Sequence, residues 1–216
     1  MIVSISRELG AGGWTIGSGL AAALGATLLD ERAIIAELSK REGYSQEHLA
    51  ARIERPPSLG QTLMSDLARA AAMLPINSDV ALPEEAIIAS VRGLVFEYAL
   101  QGHVVVIGHG GRSLFGWRPP DVRVLALLVH GGRAWRIARL AERLGLDRSE
   151  AERRIARVDE ARQRFQKHFF DSNMYESRLY DLVLNAETLG IELASSLALR
   201  VARAFAGEPL ELPSAE

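Results

Sequence analysis

The sequence contains no cysteine, so disulfide bonds and metal sites built on thiolates are excluded. Its five histidines show no spacing typical of a zinc site. No uninterrupted apolar run approaches the roughly 20 residues that cross a bilayer, and the first residues, MIVSIS, lack the basic segment of a signal peptide. A net charge of −2 argues against a dedicated nucleic-acid binder. We therefore expect a cytoplasmic protein whose 216 residues form one core without covalent or metal cross-links.

Lysine is almost absent as well, since Lys40 and Lys167 are the only two in the chain. Arginine carries the positive charge, and residues 131–178 hold 12 Lys and Arg against 8 Asp and Glu. A local surplus of positive charge attracts anionic ligands. A general compositional bias toward arginine is the alternative explanation.

Five short apolar runs predict β-strands, at residues 2–6, 27–29, 103–108, 122–129 and 181–185. They are nearly continuous in Val, Ile and Leu, as in parallel strands that are covered on both faces. Segments with helical periodicity separate them, and residues 78–102 carry both start and stop signals for a helix. The sequence therefore predicts an α/β fold, a doubly wound five-stranded parallel sheet whose ligands bind at the carboxyl ends of the strands.

Three glycines, Gly10, Gly12 and Gly13, follow the first predicted strand and precede a predicted helix. Glycine tolerates positive φ and lets successive N–H groups converge on an anion, to which a following helix adds the positive end of its dipole. The phosphate-loop motif G-x-x-x-x-G-K-[ST] is incomplete, because Trp14 or Gly13 occupies the lysine position. A turn without a ligand is one alternative. A dinucleotide motif G-x-G-x-x-G is disfavoured because Thr15 stands at its third glycine.

The loop does not stand alone. It is followed, in order, by HVVVIGHGGRSLF, RIARLAERLGLDRSEAERRIARVDEARQRF and YDLVLNAETLGIE. From residue 2 to about 200 this series resembles the cytidylate kinase-like family, a branch of the nucleoside monophosphate kinases. The family's own opening resembles S-R-E-x-G-S-G-G and also lacks the lysine.

The resemblance implies a P-loop NTPase-like domain over residues 1–206. Within it we expect a helical acceptor-binding lobe at about 40–85 and an arginine-rich lid at about 145–178, followed by a tail at 207–216. The implied activity is transfer of the γ-phosphoryl group of ATP to CMP or dCMP with Mg²⁺. Nucleotides are the expected partners of a monomer or homodimer, without nucleic acid or membrane.

The resemblance also assigns residues to roles. The positive charge around the transferred phosphate is expected from Arg7, Arg136 and Arg162. ATP is expected on Gly10, Ala11, Gly12, Gly13, Trp14 and Thr15. The acceptor is expected on Asp30, His109, Arg112, Arg157, Asp159 and Arg164. Magnesium is expected at Thr15 and Asp30.

Two departures from the family pattern lie on the acceptor side. Ile35 and Ala36 replace a tyrosine and an arginine, and His109 stands where the family has an arginine, with Arg112 close enough to substitute. Two alternatives therefore stay open: a catalytically silent nucleotide-binding regulator of the same fold, and an ATP-dependent kinase of another small acceptor.

The absent lysine need not abolish catalysis. One charge-assisted hydrogen bond contributes about 1.5–3 kcal/mol, so its loss slows a reaction roughly 10- to 100-fold unless another cation replaces it. Arg7 is the only cation among the first 31 residues. We predict that Arg7 replaces the lysine. The alternative is a structural arginine that pairs with Glu8 or a nearby acid and orders the turn.

Overall fold

A computed structural model describes residues 1–42, 46, 84–116 and 120–209. Its five-stranded sheet has the order β2-β3-β1-β4-β5, and all four pairings are parallel. The strands are β1 Ile2–Arg7, β2 Thr27–Leu29, β3 Val104–Ile107, β4 Val124–His130 and β5 Leu182–Asn185. The predicted fold class is confirmed, and β1 lies between β3 and β4, where the strand order reverses.

Helices alternate with these strands along the chain. They are α1 Gly13–Leu24, α2 Glu31–Glu42, α3 Glu84–Gln101, α4 Arg133–Leu144, α5 Arg148–Phe170 and α6 Ala186–Ala206, with 3-10 turns at Gly111–Phe115 and Ser177–Leu179. The helix predicted at 78–102 is found as α3, and residues 78–83 lie outside the described part. Most of the predicted acceptor lobe and residues 210–216 of the predicted tail also lie outside it.

The sheet is covered on both faces, which explains its continuous apolar strands. On one face, α2 and α3 pack over Phe115 and Leu114. On the other, α1 packs against α6 through a stripe of small residues, Ala194, Ala198 and Ala202, all fully buried. Their spacing of four residues keeps them on one helical face, so the two helices approach closely. Both layers leave the carboxyl edge of the sheet to the loops.

No helix among the described residues is both long enough and apolar enough to cross a bilayer.

Candidate active site

The glycine turn between β1 and α1 has the backbone that an anion site requires. Gly10 and Gly12 have φ values of +85° and +89°. The first hydrogen bond of α1 runs from the Ile16 N–H to the Gly12 carbonyl, 3.0 Å. Among the described residues, no acceptor is found for the N–H groups of residues 12–15. These groups therefore remain available to an anion at the positive end of α1.

Close packing adds to the need for glycine in this turn. A Cβ on Gly10 would lie 2.8 Å from the Arg136 carbonyl oxygen, and one on Gly13 would lie 2.5 Å from Arg7 Cβ. A Cβ on Gly12 would collide with Ile191 Cδ1. Positive φ and close neighbours thus both disfavour a side chain at Gly10 and Gly12, and Arg7 alone disfavours one at Gly13.

Arg7, the last residue of β1, spans two glycine-rich turns. Its stem lies against Gly13 and its guanidinium lies against Gly108, directly after β3. The pKa of Arg7 is lowered to about 9, mainly by burial and secondly by the positive charge of Arg162. Within the described residues, the guanidinium has no hydrogen-bond or ion-pair partner. Such a cation favours the binding of an anion.

Arg162 brings a second positive charge to the same place from α5. Its Nη1 donates to the Arg7 carbonyl oxygen at 2.9 Å and lies 3.9 Å from Asp159 Oδ1. Burial lowers the pKa of Arg162. The structure thus brings together two of the three arginines that were predicted to surround the transferred phosphate.

Arg136, the third predicted arginine, lies beneath the turn and is 5% exposed. It donates to the carbonyl oxygens of Gly131 and Leu9 at 2.9 and 3.0 Å, and to Asp159 Oδ2 at 2.6 Å. Its Nε also lies 3.3 Å from Glu8 Oε2. Its phosphate-binding role stays a prediction, and phosphate contact would require exchange of one of these protein partners.

Asp159 and Glu8 complete this network. Asp159 Oδ1 accepts the Leu9 N–H at 2.9 Å. Glu8 accepts the Gly131 N–H at 3.1 Å and the Tyr175 hydroxyl at 3.0 Å. The acceptor-binding role predicted for Asp159 stays untested, and both of its oxygens are engaged by protein donors. Sequence reasoning missed Glu8 and Tyr175. The one available signal was that Glu8 stands at the first glycine of G-x-x-x-x-G-K-[ST] when Trp14 takes the lysine position.

The turn after β3 is unusual in a different way. Residues Gly108 to Gly111 have four consecutive positive φ values, +100°, +58°, +86° and +57°. His109 is 8% exposed and its Nε2 has no partner among the described residues. Burial lowers the pKa of His109 to about 4, and the charge of Arg7 acts in the same direction. His109 is therefore neutral at pH 7.

Asp30 follows β2 at its carboxyl end. Its negative charge raises the pKa values of Arg7 and His109 and so partly opposes the lowering by burial. Its Oδ1 accepts the Ala33 N–H at 2.9 Å, and no donor to its second oxygen is found in the described segments. Thr15 is exposed in the first turn of α1. Carboxylate and hydroxyl oxygens are suitable Mg²⁺ ligands, so this donor set fits the ion. No group of three or more metal-ligating side chains occurs in the described part of the chain, so substrate phosphates and water would have to complete the coordination.

The remaining predicted acceptor residues are not hydrogen-bonded to Arg7 or His109. Arg112 pairs with Asp181, which precedes β5. Arg157 is exposed, and Arg164 pairs with Glu160 on the exposed face of α5 at 2.5 Å. Their roles in binding the acceptor stay predictions.

A cavity of about 720 Å³ adjoins the glycine turn. Its lining residues are Trp135, Ala138, Arg139, Glu142, Arg143 and Ile191. The Arg139 guanidinium lies 5.5 Å from the centre of the Trp135 ring, and Ile191 also contacts Gly12. An aromatic ring beside a guanidinium offers flat surfaces to a planar base. Sequence reasoning missed this cavity because its residues lie on α4 and α6, far apart in the chain.

Comparisons with known proteins identify a family and similar folds. The sequence model of the cytidylate kinase-like family matches residues 2–188. No curated protein matches the sequence. The fold is similar to the crystal structure of an uncharacterized protein from Eubacterium ventriosum, with a TM-score of 0.67 at 16% identity over 94% of this chain and 98% of that one. It is also similar to TT1252 from Thermus thermophilus, with a TM-score of 0.50 at 20% identity over 94% and 97% of the two chains.

Proposed function

Because the chain belongs to the cytidylate kinase-like family, and is thus a kinase-like protein, we propose that it transfers the γ-phosphoryl group of ATP to CMP or dCMP with Mg²⁺. The observation that carries this proposal is Arg7. Its partly buried guanidinium lies between the glycine turns after β1 and β3 and has no anionic partner bonded to it in the described residues. We expect the reaction to take place in the cytoplasm.

ATP binding is proposed for residues 10–15 and the adjoining cavity. The N–H groups of residues 12–15 would receive the phosphates, because no protein acceptor is found for them among the described residues. The cavity lined by Trp135 and Arg139 would hold the adenine. Its contact with Gly12 through Ile191 would place base and phosphates on one continuous surface.

Phosphoryl transfer depends mainly on positioning and on positive charge around the equatorial oxygens. Arg7 and Arg162 supply two such charges at the end of β1, and guanidinium groups bind phosphate oxygens bidentately. Arg136 holds the base of the turn and would join them only by exchanging a protein partner. Thr15 and Asp30 would hold Mg²⁺, which neutralises phosphate charge when it is bound.

The acceptor is proposed to lie at the ends of β2 and β3, near Asp30 and His109, with Arg112, Arg157 and Arg164 as further candidate contacts. Residues 145–178 would form the lid. Their main element, α5, contacts the end of β1 through Arg162 and Asp159. We expect amide exchange in 145–178 to slow when ATP and acceptor are both present. Identical protection with and without them would argue against a lid.

A kinase of another small acceptor is the second candidate, and two observations favour it. Ile35, at the position of the family's tyrosine, is buried in the core. His109, at the position of its arginine, is neutral because burial lowers its pKa to about 4. Each change removes a polar or charged group that an acceptor phosphate could contact.

Measuring ADP release by the purified protein tests these alternatives. The panel is CMP, dCMP, UMP, AMP and shikimate, each with ATP and Mg²⁺, with an EDTA-treated sample as control. ATP at 100 times its Kd should add about 2.7 kcal/mol to the stability of the folded protein. CMP- or dCMP-dependent ADP release supports the proposal, and release with another acceptor supports the second candidate. Stabilisation by ATP without any ADP release would identify a silent regulator.

A further inference from the structure

We propose that Asp159 and Glu8 are positioning residues whose carboxylates, joined by Arg136, hold residues 8–10 in the shape that presents the glycine turn to ATP phosphates. The inference rests on the proposed function, because it assigns the network to the phosphate site. It gives Asp159 a role that acts through the loop rather than through contact with the acceptor.

Leu9 is held at both of its backbone polar groups. Its N–H donates to Asp159 Oδ1 at 2.9 Å, and its carbonyl oxygen accepts from Arg136 Nη1 at 3.0 Å. The same Nη1 lies 2.6 Å from Asp159 Oδ2. Asp159 and Arg136 are therefore bonded to each other as well as to Leu9. Their side chains are 12% and 7% exposed. With so little solvent to compete, the peptide groups on either side of Leu9 have a fixed orientation.

Glu8 fixes the preceding residue to two other segments. One oxygen accepts the Gly131 N–H at 3.1 Å, directly after β4, and the other accepts the Tyr175 hydroxyl at 3.0 Å. Burial raises the pKa of Tyr175, and the nearby Glu8 charge raises it further, so the phenol remains a donor at pH 7. The turn is thereby bonded to β4 and to the segment after α5.

The network has a geometric effect on the residue that follows. Gly10 has φ +85°, and a Cβ there would lie 2.8 Å from the Arg136 carbonyl oxygen. Gly10 thus adopts its left-handed conformation in direct contact with Arg136, the residue that pairs with both Asp159 and Glu8. Buried ion pairs often add little net stability, but they can specify one geometry. Convergent N–H groups bind an anion well only when they are already in place.

The same helix also holds residue 7. Arg162 lies three positions after Asp159 and donates to the Arg7 carbonyl oxygen at 2.9 Å. Residues 7 and 9 are therefore bonded to one face of α5. The packing of α5 against this segment and the conformation of the phosphate turn should therefore be coupled. A change that weakens the packing of α5 should also weaken ATP binding.

The test uses Asp159→Ala and Asp159→Asn in the full chain, with Glu152→Gln as the matched control. Glu152 lies on the same helix in an exposed pair with Arg133. We expect Asp159→Ala to raise the Kd for ATP at least about tenfold, because a charge-assisted bond to the loop is lost. Asp159→Asn keeps an oxygen for the Leu9 N–H and should give a smaller increase. The KM for the acceptor should change less than about twofold in both variants.

Amide exchange at Leu9 in nucleotide-free protein provides a readout independent of ATP. It should accelerate in both Asp159 variants and stay unchanged in Glu152→Gln. Should Asp159→Ala not fold, Tyr175→Phe is the second variant, because it removes only a hydroxyl from a side chain that is 40% exposed. We expect it to raise the Kd for ATP about two- to fivefold, which corresponds to the loss of one neutral hydrogen bond.

Unchanged ATP Kd in folded Asp159 variants, or a rise confined to acceptor KM, would overturn the inference. If the wild-type protein binds no ATP, the proposed function fails. In that case the exchange rate at Leu9 alone tests whether the carboxylates fix the loop. Exchange that is the same in the Asp159 variants and the wild type would show that they are not positioning residues.

Discussion

The glycine-rich turns after β1 and β3 lie side by side at the carboxyl edge of the sheet, yet they are stabilised in opposite ways. Side chains from α4 and α5 bind the entrance of the first turn, and the N–H groups of residues 12–15 have no acceptor in the described part of the chain. That turn opens a helix of 12 residues. The second turn has four consecutive left-handed residues, buries His109, and leads into a 3-10 turn of five residues.

From this difference we expect the two turns to bind different substrates. The first turn combines free donors with the dipole of a full helix, so it favours a phosphate chain. The second offers a shaped surface and a neutral imidazole, which favour recognition of an acceptor by shape and hydrogen bonds. Arg7 lies against both turns, so its charge can act at both.

Breaking the first turn should produce the largest effect. In Gly12→Val, the side chain would meet Ile191 Cδ1 at a residue with φ +89°, so the N–H groups could not keep their arrangement. We expect the Kd for ATP to rise about 100-fold or more, the loss of two phosphate contacts. Calorimetric titration measures it, and Gly19→Ala, at an open position of α1, is the control. Unchanged ATP affinity in Gly12→Val would remove the phosphate turn from the proposal.

Breaking the second turn should affect the other substrate. Gly110 has φ +86°, and a Cβ there would collide with the Phe170 ring. Gly110→Ala should raise the KM of the acceptor at least about tenfold and destabilise the fold by about 2 kcal/mol, while ATP Kd stays within about threefold. Steady-state kinetics and urea unfolding measure these quantities, with Gly93→Ala as the control. If the Kd for ATP changes by the same factor as the KM of the acceptor, the two turns do not bind different substrates.

Removing the shared cation tests the link between the turns. Arg7→Ala should lower kcat/KM at least about tenfold, the loss of one charge-assisted contact. The Tm without nucleotide should stay constant or rise, because a partly buried cation without a bonded counter-charge in the described segments costs stability. Arg133→Ala, which removes a solvent-exposed arginine, is the control. Equal kinetic effects in the two variants, or an unfolded Arg7→Ala protein, would return Arg7 to a structural role.

The smallest effect at pH 7 is expected from His109→Asn, since asparagine also tolerates the left-handed conformation. Its effect should appear on acidification. The pKa of His109 falls from 6.5 to about 4 on folding, so between these values the unfolded chain binds a proton that the folded chain does not. Stability should therefore fall as the pH drops from 6.5 to 4, by up to about 3 kcal/mol.

Urea unfolding at pH 7, 5.5 and 4.5 measures this loss. His109→Asn should lose less stability over that range than the wild type, whereas His103→Asn, at an exposed position, should behave like the wild type. Equal losses in wild type and His109→Asn would show that the imidazole does not become buried in its neutral form.

Much of the fold could be predicted from local signals. The apolar runs located all five strands within two residues of their ends, because strands covered on both faces need apolar side chains at successive positions. The glycine turn could be predicted because Gly10 and Gly12 need positive φ. The same reasoning recognised the 108–111 segment as part of a motif, but it could not foresee that His109 shares the left-handed conformation of its neighbours.

The roles of the charged residues were harder to predict. Arginine recurs on every face of α5, and periodicity alone does not show which face meets the site. Arg162 reaches Arg7, while Arg164 pairs with Glu160 in solvent. Asp159 meets Leu9 across 150 positions of the chain, and no local pattern encodes a contact over that separation.

The sequence by itself thus determined the parallel sheet, the glycine turn and the family, because each depends on backbone preference or on apolar periodicity within a short segment. Only the tertiary structure decided that Arg136 binds the entrance of the turn, that Arg7 lies between two turns without a bonded counter-ion among the described residues, and that His109 is neutral. The physical reason is desolvation. The state of a charged group depends on how much water its neighbours exclude and on which partners they bring, and both are properties of the packed chain.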